Sequence, residues 1–270
     1  MLTFPNAKIN IGLYVTNKRP DGFHDLLSCF VPVPWEEALE ILPAEKTEFF
    51  STGIPIPGNP EGNLCLKAYE LLRDDFDLPP VKIHLHKAIP IGAGLGGGSA
   101  DATFTLKALN EMFSLDISDE KLEGYASRLG SDCPFFVKNS AVIAEGTGNI
   151  FSPIELDLSG YTLVMVNPGV HVSTAVAYSG ITPKPANIDL ADFLQKNSPE
   201  KWRGVVRNDF EEGVFAKFPV IAEAKENLYD SGAIYAAMSG SGATVFGLFE
   251  SGNFPELKFP EEYEVKSFEL

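Results

Sequence analysis

Between Asn6 and Val15 the chain alternates with period two, Ala7, Ile9, Ile11 and Leu13 falling on one side and Lys8, Asn10 and Gly12 on the other. The pattern predicts a strand with one buried face. Its polar side sets an ammonium beside a carboxamide, and on this stretch alone a solvated outer face is the simpler reading. Arg19-Pro20-Asp21-Gly22 is turn chemistry, and Phe23-His24 open a second extended stretch to about Pro34. Residues 36–60 read as short strands and a Pro/Gly-rich loop. Asn63 is placed to cap a helix over 64–76, with Leu64, Ala68, Leu71 and Leu72 at helical spacing and Pro79-Pro80 beyond it. Val81, Ile83 and Leu85 alternate with Lys82, His84 and His86. This predicts a strand whose two histidines share an exposed face, with no third metal ligand nearby.

That strand runs into Pro90-Ile91-Gly92-Ala93-Gly94-Leu95-Gly96-Gly97-Gly98-Ser99-Ala100, and Ala102, Leu106, Leu109 and Phe113 then mark a helix from about Ser99 to Phe113. A glycine-rich loop opening a helix offers bare N–H groups and the positive end of the helix dipole to an anion. A second helix is expected from Ser118 to Leu129, stopped by Gly130. Asp132 reads as the N-cap of a third, with Pro134 in its first turn. Residues 141–150 form a strand leading into a Gly-containing turn. The pattern restarts beyond Leu156, with a strand over Thr162–Asn167 and a short helix from Ser173-Thr174 carrying Tyr178. A helix near 189–196 lies within a loop-rich segment, 181–208. Another helix spans Val220–Asp230. The strand Ala233–Met238, the turn Ser239-Gly240-Ser241-Gly242 and the strand Ala243–Phe249 follow, and Glu264–Phe268 is a last strand. Strands and helices interleave on both sides of residue 155, so two α+β domains are expected, 1–155 and 156–270.

Composition narrows the function classes. With 270 residues, 44% hydrophobic and 21% charged, the chain can bury full cores and lacks the signature of disorder. A net charge of −16 and a pI near 4.6 exclude a nonspecific nucleic-acid binder, which needs a basic surface. No apolar run is long enough for a membrane span, and the first residues lack the pattern of a secretory signal, so a cytoplasmic location and no membrane partner are expected. Cys29, Cys65 and Cys133 are widely spaced and read as reduced, buried residues.

Three chemistries compete for the glycine loop. A Walker loop needs a lysine that Gly98-Ser99 does not supply. Gly92, Gly94 and Gly97 satisfy a dinucleotide fingerprint, but a second helix follows where that fold needs a parallel strand and an acidic residue. The third fits more of the chain. Pro90 to Ala102 resembles the glycine-rich motif of the GHMP kinases, the galactokinase, homoserine, mevalonate and phosphomevalonate kinase superfamily. Ala7-Lys8-Ile9-Asn10 resembles that superfamily's first motif and Met238-Ser239-Gly240-Ser241-Gly242-Ala243 its third. Pro5–Asn10, Arg19–His24, Gly130–Phe136 and Ala144–Gly148 together resemble the branch acting on a cytidine-diphosphate derivative of methylerythritol, on the non-mevalonate route to isoprenoid precursors. Phe23 stands where that branch usually has tyrosine, and Ala100 and Cys133 are smaller departures.

The resemblance implies a two-domain GHMP kinase fold, with an N-terminal domain like domain 2 of ribosomal protein S5 and a ferredoxin-like α/β sandwich after it. It implies ATP as co-substrate, with magnesium held mainly by the nucleotide and no protein metal site. ATP would lie on residues 90–100, supported by the turn at Ser239, Gly240, Ser241 and Gly242. Lys8 and Asp132 would be catalytic, and Asn10, Phe23, His24 and Tyr178 would bind the small-molecule cytidine-diphosphate substrate. The acceptor would be its 2-hydroxyl. Mevalonate, homoserine or a sugar as acceptor is the nearest rival, opposed by Gly22-Phe23-His24; a noncatalytic sensor is the next, opposed by the retention of Lys8 and Asp132. A monomer or homodimer is expected.

Overall fold

The polar side of the first long strand is not solvated. In the computed structural model, which describes residues 1–252 and 257–270, β1 (Leu2–Thr3) leads to β2 (Asn6–Lys18), in which every residue from Asn6 to Val15 is buried. The chain continues through β3 (His24–Glu36), β4 (Ala38–Pro43), β5 (Glu48–Gly53), α1 (Leu64–Phe76), β6 (Val81–Lys87) and α2 (Gly97–Met112). Next come α3 (Asp119–Ser127), α4 (Phe135–Lys138), β7 (Val142–Glu145), β8 (Ile150–Pro153) and β9 (Tyr161–Asn167). The remainder is α5 (Thr174–Tyr178), α6 (Leu190–Lys196), α7 (Phe210–Lys217), α8 (Pro219–Asp230), β10 (Tyr235–Met238), β11 (Val245–Glu250) and β12 (Glu264–Glu269).

Two compact units form, and they are not sequential halves. The first comprises residues 1–8, 32–91 and 96–140; the second comprises 9–31, 92–95 and 141–270. β2 and β3 each pass through both units, and residues 92–95 group with the C-terminal part.

In the first unit the sheet order is β1-β4-β6-β5, with β4 antiparallel and β5 parallel to β6. Val81, Ile83 and Leu85 point inward and share a core with Ala68 and Leu72 of α1 and Leu106 and Leu109 of α2. Each fully buried Leu or Ile side chain contributes roughly 1.5–3 kcal/mol. The Asn63 side chain accepts from the Cys65 amide at 2.8 Å, which starts α1 where expected. His84 and His86 lie on the outer face, where Nε2 of one and Nδ1 of the other each approach Thr52 Oγ1 at 3.0 Å.

In the second unit the antiparallel sheet β10-β11-β9-β12 packs against helices through Val164, Val166, Val245, Ile221, Ala224 and Leu228. β7 and β8 form a hairpin across residues 146–149, the expected glycine turn, after which a second strand returns. α7 was not legible in the pattern: Gly213 interrupts it, and only Phe210 and Val214 are buried. A Cβ at position 213 would lie 3.6 Å from the Gly180 Cα, an ordinary contact distance. Among the described residues no helix is long and apolar enough to cross a membrane.

Candidate active site

The glycine loop takes a backbone path that side chains would block. At Gly94, with φ +81°, a Cβ would fall 2.0 Å from the carbonyl oxygen of Ser239. At Gly96, with φ +72°, it would meet Phe136 Cζ at 3.0 Å and Lys8 Cγ at 3.1 Å. Gly96 is also the N-cap of α2, so the helix begins two residues earlier than expected. A glycine cap brings no side-chain oxygen to the first-turn amides. The Gly97, Gly98 and Ser99 N–H groups therefore stand at the positive end of a 16-residue helix dipole. Gly98 is exposed and Ser99 half-buried.

Still in the first unit, the Lys8 ammonium lies 3.5 Å from Asp132 Oδ2. Lys8 is 3% exposed, whereas about a third of the Asp132 side chain, 34%, meets solvent. Burial pulls the Lys8 pKa below its ordinary value, and the attraction of Asp132 only partly offsets it. Asp132 is not the expected N-cap. Residues 131–134 form a turn, α4 begins at Phe135 with Pro134 in the cap position, and no side chain caps it. The adjacent Cys133 is buried, which pushes its thiol up to about 11.

In the second unit Asn10, expected to touch substrate, is 2% exposed and its amide donates to Ser28 Oγ at 2.9 Å. The Asn10 backbone N–H donates to Ser239 Oγ at 3.3 Å, and that hydroxyl donates to the Gly94 carbonyl at 2.9 Å. Residues from the second and third sequence motifs thus meet. Asn208, which the sequence reading passed over, donates from Nδ2 to the carbonyls of Met238 (2.8 Å) and Gly240 (2.7 Å), holding the turn from behind. The His24 and Tyr178 rings stack with centroids 4.7 Å apart and an interplanar angle of 25°. Tyr178 also meets the edge of Phe210 at 4.8 Å. Phe23 is 63% exposed, at the end of the Arg19–Gly22 turn.

A buried charged group also went unread. Lys87 lies against Glu37 Oε1, and its ammonium donates to Asp101 Oδ2 at 2.8 Å; all three belong to the first unit and are buried. Burial pulls the Lys87 pKa down, but Asp101 and Glu37 outweigh it and leave the lysine above its ordinary value. Burial, reinforced by Glu37 and opposed by Lys87, pushes Asp101 up to about 7. Parity could have exposed this group: Lys87 follows Val81, Ile83 and Leu85 on the inward side of its strand. Among the described residues no group of three or more His, Cys, Asp or Glu side chains is placed to hold a metal ion.

The chain matches known proteins along most of its length. Residues 63–140 match the model for the GHMP kinases N-terminal domain and residues 190–257 that for the GHMP kinases C-terminal domain. A Bacteroides fragilis protein named 4-diphosphocytidyl-2-C-methyl-D-erythritol kinase is 56% identical over 92% of each chain. A protein of the same name from Cytophaga hutchinsonii is 50% identical over 93% of each. A crystal structure of 4-(cytidine 5'-diphospho)-2C-methyl-D-erythritol kinase superposes with a TM-score of 0.77 at 30% identity, covering 92% of this chain and 90% of that one. On these matches and this fold, the chain belongs to the GHMP kinases and, within them, to the family of 4-diphosphocytidyl-2-C-methyl-D-erythritol kinases.

Proposed function

We infer that this chain transfers the γ-phosphoryl group of ATP to the 2-hydroxyl of 4-(cytidine 5'-diphospho)-2-C-methyl-D-erythritol, a step in the non-mevalonate synthesis of isoprenoid precursors. The observation that carries the chemistry is the Lys8–Asp132 pair, with a partly exposed carboxylate 3.5 Å from a buried ammonium. The bond between the γ-phosphorus and the bridging oxygen breaks and a bond from phosphorus to the acceptor oxygen forms. ADP leaves with the bonding electrons, and the hydroxyl proton passes to Asp132. Phosphoryl transfer asks a protein mainly for alignment and charge neutralisation. Lys8 supplies positive charge beside the carboxylate and toward the transferring group.

Residues 90–100 bind ATP in this reading. The uncapped amides of 97–99 receive phosphate oxygens, and the Ser239–Gly242 turn keeps the loop in shape through Gly94. Ser99 carries the loop's side-chain hydroxyl. A magnesium ion arriving with the nucleotide would be held by nucleotide oxygens and water and would neutralise phosphate charge. The acceptor's cytosine is held by His24, Tyr178 and Phe23, while Asn10 serves the substrate through the turn it supports. The enzyme works as a cytoplasmic monomer or homodimer.

ADP release measured with matched cytidine- and uridine-diphosphate acceptors, and with mevalonate and homoserine, tests the assignment. Turnover confined to the cytidine compound is expected. Equal rates with the uridine compound would remove base reading by His24, and turnover of mevalonate or homoserine alone would replace the acceptor.

A further inference from the structure

The Glu37–Lys87–Asp101 group fastens both ends of the glycine loop. Glu37 Oε2 accepts from the N–H groups of Ala88 at 2.8 Å and Ile89 at 3.2 Å, the two residues before Pro90. Its other oxygen meets Lys87, and Lys87 donates to Asp101 on α2, the helix that leaves the loop. Between these anchors lies Gly97, where a Cβ would sit 3.1 Å from both Glu37 Oε1 and Lys87 Nζ. The first residue of the helix thus packs against the charged group itself.

Packing does not require this arrangement. Val81, Ile83 and Leu85 already seat β6 against the helices, and a buried ion group is seldom more stabilising than apolar side chains of the same volume. Charge-assisted hydrogen bonds supply what apolar packing lacks, a fixed direction between the chain entering the loop and the helix leaving it. We propose that Glu37, Lys87 and Asp101 are positioning residues for the phosphoryl donor, clamping residues 88–97 so that the amides of 97–99 face the triphosphate of a nucleotide.

The proton inventory agrees. Two carboxylates and one ammonium would leave a net negative charge beneath an anion site. Asp101 Oδ1 is buried without a hydrogen-bond partner, whereas both Glu37 oxygens have donors. A proton on Asp101 makes the group neutral, and its pKa of about 7 is in keeping with that.

The inference rests on reading the loop as the ATP site, so the test separates the two. Glu37→Gln and Asp101→Ala should raise the KM for ATP at least ~10-fold and leave the acceptor KM within about twofold, the scale of misaligned binding groups. Asp101→Asn, which keeps an uncharged acceptor for Lys87, should stay within about threefold of the parent. A merely structural role would lower the folded fraction and kcat while leaving both KM values in place. Gly98→Asp, at an exposed position, sets a carboxylate against the phosphates and reads the loop alone. An unchanged ATP KM in Glu37→Gln, with a raised one in Gly98→Asp, overturns the positioning role. An unchanged ATP KM in Gly98→Asp overturns the ATP site. Should Asp101→Ala fail to fold, Glu37→Gln decides by the same criterion.

Discussion

Two lysines of the first unit are hidden to nearly the same degree, Lys8 at 3% and Lys87 at 4% exposure, and are held in opposite ways. Lys87 meets two carboxylates as buried as itself, and their attraction overcomes the cost of burial. Lys8 meets the partly exposed carboxylate of Asp132 at 3.5 Å, and burial prevails. The difference teaches what each is for. An ammonium whose charge is fully countered stabilises a shape. In the proposed function, the Lys8 ammonium beside the partly exposed Asp132 carboxylate is the one whose charge serves the transferring phosphoryl group.

The strongest way to break the comparison is to remove the Lys8 pair. Lys8→Ala and Asp132→Asn should each lower kcat at least ~100-fold, the scale of a positioned acid–base or electrostatic group. Initial rates of ADP formation on variants with intact circular dichroism would show it, and near-parental turnover in both would remove their catalytic role. Lys87→Met should act on the fold as well as on ATP binding, lowering unfolding free energy by ~3–5 kcal/mol because it leaves the buried Glu37 carboxylate without its cation. Urea titration would measure that loss, and a larger loss from Lys8→Met would invert the contrast.

A subtler test uses pH. Asp101 binds its proton more tightly folded, at about 7, than an ordinary aspartate at 3.8 does. The folded state therefore holds a proton that the unfolded chain has lost between these values. Its contribution to stability is full below pH ~4 and is lost as pH rises toward ~7, by up to ~1.4 kcal/mol per pH unit. Asp101→Asn should remove that slope, so its stability relative to the parent improves from pH 5 to pH 8 in urea unfolding. A constant difference would contradict the proton assignment.

The smallest effects belong to the rings of the second unit. His24→Ala and Tyr178→Ala should raise the acceptor KM by ~5–150-fold, equivalent to ~1–3 kcal/mol of base stacking, with kcat little changed. Phe23→Ala, at a site 63% exposed, should cost less. Steady-state kinetics at saturating ATP would rank the three, and a dominant Phe23 would shift base binding from the stacked pair to the turn.

Much of this architecture was legible in local pattern. Asn63 capped α1 as expected, and Val81, Ile83 and Leu85 faced the core that their alternation predicts. Local pattern misled where long-range contacts decide. The polar residues of β2 looked solvated because alternation reports two faces without saying what covers them, and both faces proved buried. Asp132 looked like a helix cap because Asp is favoured there and Pro134 falls in the first turn, yet its carboxylate faces Lys8. α7 was missed because Gly213 weakens the helical signal and only Phe210 and Val214 are buried.

By itself the sequence determined the glycine-rich loop and the helix behind it, because backbone freedom and a run of apolar spacing are local properties. It also determined the family, through motifs distributed from Ala7 to Ala243. The tertiary structure alone decided that His24 stacks on Tyr178 and that Lys87 is shared by Glu37 and Asp101, and it sets Lys8 3.5 Å from Asp132, the pairing the resemblance implies. Those pairings join residues 14 to 154 positions apart, as Lys87 and Asp101, or His24 and Tyr178, illustrate. Charge and stacking act over a few ångströms in space, so only the folded chain settles which groups share a field.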